Sequence, residues 1–227
     1  MTSVKSVIGV INDLFFPSSC AACGLSNIGS GNLICQSCFD SLKLFPSVLY
    51  ARDFDDRAIF WDSLHSFSHY DKVMMKLIHE YKNGRRHGLA SFFAAHLVKM
   101  IENGKAGFDL VTSVPPSQKK MKKRGFDPSQ VISRAIASMG NVPYKALMRE
   151  SGTHGEQKTL GADDRYCNAI GRFVFTGEPS LEGKNIILVD DVMTTGATIN
   201  ESARILKKNG AGIVLSLTVA RVDIRKI

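Results

Sequence analysis

Two stretches of the chain carry residue types and spacings that can do chemistry. The first is Ile186 to Thr198, IILVDDVMTTGAT. An apolar run leads into two aspartates and then into a Thr-Thr-Gly-Ala-Thr turn. The run predicts a buried strand over Ile186–Val189, and the turn predicts the opening of a helix. Gly196 permits a tight turn and a close approach of backbone amides to a ligand. The hydroxyls of Thr194, Thr195 and Thr198, with the backbone of Gly196 and Ala197 at the helix start, aim donors at one spot. A helix N-terminus of this kind suits a phosphomonoester. The carboxyl end of a strand is also where ligands bind in open α/β sheets. Asp190 and Asp191 are repelled by phosphate and suit sugar hydroxyls, which donate charge-assisted hydrogen bonds to carboxylates. Phosphate and diol together describe a ribose 5-phosphate unit. An ordinary strand–turn–helix with a threonine cap leaves the acidic pair unexplained, and neither a Walker GxxxxGK[ST] nor a GxGxxG is present.

The second stretch holds Cys20-x-x-Cys23 and Cys35-x-x-Cys38, eleven residues apart. Four thiolates so spaced can surround one ion tetrahedrally, the arrangement of structural zinc. Gly24 eases the turn that aims amides at the sulfurs. With cysteine at all four positions, no coordination position stays open for catalysis. Two disulfides or free thiols are the alternatives. The fifth cysteine, Cys167, stands in a polar loop without a histidine at readable spacing and reads as an incidental thiol. His79, His87 and His154 are isolated and read as surface or packing residues.

The elements that must position these groups follow from length and pattern. At 227 residues the chain fits one medium domain plus a small appendage. Hydrophobic residues at 44% and charged residues at 22% exclude a disordered chain. A net charge of +8 suits an anionic partner: a polyphosphate, nucleic acid or an acidic membrane face. No apolar stretch approaches the ~20 residues of a membrane span. Met1 to Phe16 lacks the long apolar core of a signal peptide. Its Val4, Val7, Ile8, Ile11, Leu14 and Phe15 instead predict a short amphipathic helix, docked on the core or touching a membrane or partner. A cytoplasmic location is therefore expected, and in its reducing medium paired Cys-x-x-Cys motifs bind metal more often than they form disulfides.

Residues 1–45 read as the helix and zinc-binding module, and residues 46–227, after a break near Pro46, as the main domain. Val73 to Tyr81 and Leu89 to Ile101 predict helices, and Asp109 to Val114 a strand ended by Pro115-Pro116. A basic loop, Lys119 to Arg124, follows, then a helix from Gln130 to Met139. Residues 150–172 predict a loop, and Phe173–Phe175 a strand. A helix over Ile199–Lys208 and a strand over Ile213–Val219 close the chain. Alternating strands and helices imply an α/β fold, a parallel sheet with helices on both faces.

VDDVMTTGAT resembles the phosphoribosyl pyrophosphate signature of type I phosphoribosyltransferases. The paired cysteines, the Val-Pro turn before Arg124-Gly125-Phe126, and Gln157-x-x-Leu160-x-x-x-x-Arg165-x-x-Asn168 are similar to the ComF family, competence-associated and GntX-related. The resemblance covers residues 15 to about 221. It implies a type I phosphoribosyltransferase-like fold with a small N-terminal zinc module of four cysteines. It also implies binding of phosphoribosyl pyrophosphate with Mg²⁺, and transfer of the phosphoribosyl group to a nitrogen acceptor. In that picture Thr194, Thr195, Gly196, Ala197 and Thr198 hold the 5-phosphate, and Asp190 and Asp191 the ribose. Pro115, Pro116, Ser117, Lys119 and Lys120, with Arg124, meet the pyrophosphate. Arg165 reaches the pyrophosphate from a flap, or pairs with Asp163 or Asp164. A non-catalytic role in DNA uptake, binding single-stranded DNA or a helicase partner, is the other reading the resemblance allows. Two departures touch the pyrophosphate region. The family's Arg-Gly-Phe-Asn-Gln appears as Arg124-Gly125-Phe126-Asp127-Pro128-Ser129-Gln130, and its Val-Pro-Val-Pro as Thr112-Ser113-Val114-Pro115, with Lys120 where arginine is usual.

Overall fold

A computed structural model of the chain describes residues 19–29, 31–45, 47–54, 58–83, 86–101, 107–151, 171–177 and 180–222, the side chain of Lys120 excepted. The expected N-terminal helix, His154 and the Gln157–Asn168 segment with Arg165 and Cys167 lie outside the described residues. The chain divides into two compact units, Met1–Lys43 with Asp71–Leu89, and Leu44–Tyr70 with Ala90–Ile227. The first unit takes in Asp71–Leu89 together with the N-terminal stretch. The reason is long-range: Arg86 Nη2 donates to Ser19 Oγ at 2.6 Å, and Gly88 lies against the Leu33 side chain.

In the first unit, α1 (Gln36–Asp40) follows the second cysteine pair's first member, and α2 (Lys72–Lys82) is an amphipathic helix. Asp71 caps α2 by accepting the N–H groups of Val73 and Met74. Met74, Leu77, Ile78 and Tyr81 are buried, the spacing of a single helical face. Helix α3 (Leu89–Ile101) begins at this unit's last residue.

The second unit contains a five-stranded sheet of order β1-β2-β7-β6-β3, formed by β1 (Leu49–Tyr50), β2 (Ser63–His69), β3 (Leu110–Ser113), β6 (Ile186–Met193) and β7 (Val214–Arg221). β2, β7, β6 and β3 are parallel, as expected, but β1 pairs antiparallel with β2 and the sheet is mixed. Among the described residues no crossover helix separates β1 from β2, and a parallel pairing would need one. Ile186 to Val189 and all of β7 are buried, so both faces of the centre are covered. Helix α6 (Ala197–Lys208) supplies one cover: Ile199, Ala203 and Leu206 share a cluster with Ile186, Leu188 and Val214.

Three further differences from expectation bear on the site. Strand β6 runs on to Met193, because Asp190, Val192 and Met193 stay in register with Thr218, Ala220 and Arg221 of β7. The basic run is a helix, α4 (Gln118–Arg124), rather than a loop. Its Gln, Lys, Met and Arg residues are good helix formers, and Gly125 at φ 76° stops it. Helix α5 (Pro128–Met139) starts two residues before Gln130, with Asp127 as cap and Pro128 in its first turn. Glu150, expected in the long loop, ends β4 (Met148–Glu150), which pairs antiparallel with β5 (Phe173–Phe175).

Candidate functional site

At the carboxyl end of β6 the chain turns through Thr194 and Thr195 into α6. Gly196 is the helix cap in the left-handed region, φ 80°. A side chain there would carry the left-handed penalty and bring its Cβ to 2.6 Å from Met193 Cε. No threonine caps the helix through its side chain; the Ala197 N–H donates a long bond, 3.4 Å, to Thr195 Oγ1. Asp190 and Val192 to Ile199 line one open pocket. The turn residues of the predicted phosphate site thus share a pocket with the first aspartate. Asp191 is half-buried beside it on the strand.

The 114–124 segment starts next to this end of the sheet, since the Val114 N–H donates to the Val189 carbonyl at 2.9 Å. Pro115 is buried, Pro116 and Ser117 are half-buried, and Lys119, Lys122 and Lys123 are exposed. One amide of this turn, Gln118 N–H, already donates to Glu150 Oε2 at 2.8 Å. Glu150 also holds Arg172, with Oε1 3.3 Å from Nη2.

Beyond Arg124 the structure gives Asp127 and Ser129, read in the sequence only as a departure from the family motif, contacts that the sequence did not show. Asp127 is only 6% exposed and accepts the Ser129 N–H at 3.0 Å. Burial pushes its carboxyl up to about 6, and the nearby charge of Asp191 adds to the rise. Backbone donors from Gln130 and Ser129, and the charge of Arg124, work the other way. Ser129 in turn donates its Oγ–H to Asp190 Oδ1 at 3.1 Å. The departure after Arg-Gly-Phe therefore faces the acidic pair. A Pro one residue after an Asp is a readable helix start, and could have located the Asp127 cap. Nothing local marks the Ser129–Asp190 contact, which spans 61 positions.

In the first unit the four cysteine sulfurs lie within 4.8 Å of one another. Cys20 and Cys35 are buried, and Cys23 is exposed. The Cys20–Cys23 turn is closed by Gly24 N–H to the Cys20 carbonyl and by Cys20 N–H to the Leu25 carbonyl, both 2.9 Å. Cys35 caps α1, which carries Cys38. Cys23 Sγ is 3.7 Å from Cys35 Sγ. That is far beyond a disulfide's ~2.05 Å and close to the ~3.8 Å edge of a tetrahedron with ~2.3 Å metal–sulfur bonds. The Ala22 and Cys35 N–H groups donate to Cys20 Sγ at 3.4 and 3.3 Å. Burial alone would raise the Cys20 thiol, but these donors, with the Cys23 amide and thiol, outweigh it and bring it down to about 6. The geometry and donor set fit a structural metal site.

The phosphoribosyl transferase domain family matches residues 95–226, more than half of the chain. The DNA utilization protein YhgH of Escherichia coli (strain K12) is 30% identical over 161 residues, 68% of this chain and 70% of that protein. Competence protein F of Haemophilus influenzae is 24% identical over 215 residues, 86% of this chain and 93% of that protein. Among solved structures, adenine phosphoribosyltransferase from Thermoanaerobacter pseudethanolicus matches with a TM-score of 0.43 and 19% identity, over 63% of this chain and 76% of that one. The chain belongs to the phosphoribosyl transferase domain family and is a ComF-family phosphoribosyltransferase-like protein.

Proposed function

We propose that the chain binds phosphoribosyl pyrophosphate with Mg²⁺ at the carboxyl end of β6 and transfers the phosphoribosyl group to a nitrogen acceptor. The observation that carries this reading is one pocket lined by Asp190 and by the Thr194–Thr198 turn, at the end of a central parallel strand. The turn's amides and hydroxyls, at the start of a twelve-residue helix, would hold the 5-phosphate. The Asp190 and Asp191 carboxylates would accept the ribose hydroxyls. Arg124, Lys119, Lys120 and the Pro115–Ser117 turn would face the pyrophosphate, with Arg165 as a further cation. Mg²⁺, which prefers phosphate and water oxygens to an all-protein cage, would supply charge neutralisation of the leaving pyrophosphate. The protein's part is positioning and charge stabilisation. Four cysteines at tetrahedral spacing support zinc as the structural ion. A cytoplasmic location belongs to this reading, since paired Cys-x-x-Cys motifs hold metal in a reducing medium. No helix among the described residues is long and apolar enough to cross a membrane.

The test is a calorimetric titration with phosphoribosyl pyrophosphate and Mg²⁺, with pyrophosphate release assayed across a panel of nitrogenous bases. Saturable binding with release supports the transferase reading. Absence of binding overturns it.

A second reading is favoured by the names of the relatives, DNA utilization protein and competence protein F. On it, the protein serves natural competence by contacting single-stranded DNA or a DNA-uptake helicase without turnover. The exposed lysines of α4 support this reading. It expects single-stranded DNA binding that weakens steeply with salt, and no pyrophosphate release.

A further inference from the structure

Asp190 Oδ1 accepts two hydrogen bonds, from the Asp191 N–H at 2.8 Å and from Ser129 Oγ at 3.1 Å. Two donors converging on one oxygen fix the plane of the carboxylate, so its rotamer is set by the protein before any ligand arrives. The Asp191 amide belongs to the same strand and moves with Asp190. Ser129 belongs to α5 and is an independent anchor. Ser129 is itself held from three sides: its N–H donates to Asp127 Oδ1 at 3.0 Å, its carbonyl accepts Ser133 Oγ–H at 2.7 Å, and it sits at the start of a helix fixed by Pro128. It is 4% exposed, so water does not compete for its hydroxyl.

We propose that Ser129 is a positioning residue, which holds the Asp190 carboxylate in the orientation that meets the ribose of a bound phosphoribosyl compound. The inference rests on the phosphoribosyl pyrophosphate reading above. Ser129 acts through Asp190 and touches no ligand atom, so its effect belongs to the sugar and not to the pyrophosphate.

The experiment is calorimetry on the full chain with three probes, each with Mg²⁺: phosphoribosyl pyrophosphate, ribose 5-phosphate and inorganic pyrophosphate. Ser129→Ala is expected to weaken the two ribose-bearing probes about tenfold, the scale of one lost bond to a charged group. It should leave inorganic pyrophosphate unchanged and lower the melting temperature by no more than a few degrees, the scale of one buried hydrogen bond. In an Asp190→Asn background, Ser129→Ala should add no further loss, because the two act as one unit. Equal weakening of all three probes, full additivity with Asp190→Asn, or no effect on the ribose probes would each overturn the inference. Those outcomes leave wild-type binding intact, whereas a wild-type protein that binds none of the probes overturns the parent reading too.

Discussion

In the cysteine knuckle the hydrogen bonds to the Cys20 sulfur come from Ala22 and Cys35, at most fifteen positions away, whereas the carboxyl end of β6 draws Ser129 from 61 positions away. The knuckle buries little: Cys20, Ala21, Ala22 and Cys35 are its small interior. Its order comes from short turns and from whatever ties the thiols together. Strand β6 is flanked by β3 as far as Val189 and by β7 through Met193, and a buried cluster that includes Ile186, Leu188, Ile199 and Val214 lies beneath it. Polar groups there are held by packed elements. A site built on a local turn depends on its ion, and a site built on a sheet depends on its core.

Metal removal is the sharpest way to break this comparison. Structural zinc contributes on the order of 10 kcal/mol to the folding of small modules. Chelation, or Cys20→Ser, should abolish amide protection across residues 20–40, with β6 and β7 retaining theirs in hydrogen exchange. Protection lost equally in both regions would mean that the sheet's core does not stand alone.

Asp127 comes next in size. Its carboxyl is raised from 3.8 to about 6 in the folded chain, so between about pH 4 and pH 6 the folded state holds a proton that the unfolded state has lost. Stability present in acid is therefore lost as pH rises through this window, by up to about 3 kcal/mol. Asp127→Asn keeps a capping oxygen without the charge. It should remove this part of the pH dependence and raise stability at neutral pH, read by urea unfolding at about pH 4 and about pH 7. An unchanged slope would show that the carboxylate is solvated.

Asp190→Asn should weaken phosphoribosyl pyrophosphate by roughly 1.5–3 kcal/mol, or about 10- to 150-fold, without loss of fold. Isothermal calorimetry and thermal melting together check it. Unchanged affinity would put the ribose elsewhere. Smaller again is Gly196→Ala, expected to cost about 1–2 kcal/mol of stability from its left-handed backbone, with Met193 forced aside. Smallest is Lys122→Ala, an exposed lysine whose loss should leave phosphoribosyl pyrophosphate affinity unchanged. Arg124→Ala should weaken it clearly. Equal effects of the two on single-stranded DNA, with none on phosphoribosyl pyrophosphate, would assign α4 to nucleic acid.

Much of the architecture is carried by local pattern. Hydrophobic runs mark β6 and β7, a single apolar face marks α2, and the spacing of the cysteines defines the knuckle, because each depends on residues within a few turns of one another. The Thr-Thr-Gly-Ala-Thr turn opening α6 is likewise a local matter, set by Gly196. What tertiary structure decided is everything that depends on neighbours. β6 extends through both aspartates to Met193 because β7 pairs with it that far. β1 turns antiparallel because the described part of its connection to β2 holds no crossover helix, and Asp71–Leu89 joins the first unit through Arg86 and Leu33. Ser129 and Asp190 meet because α5 and β6 pack together. A bond spanning 61 positions leaves no periodicity in the chain. Only the closing of that loop against the sheet, with its entropy met by burial, brings the two residues together.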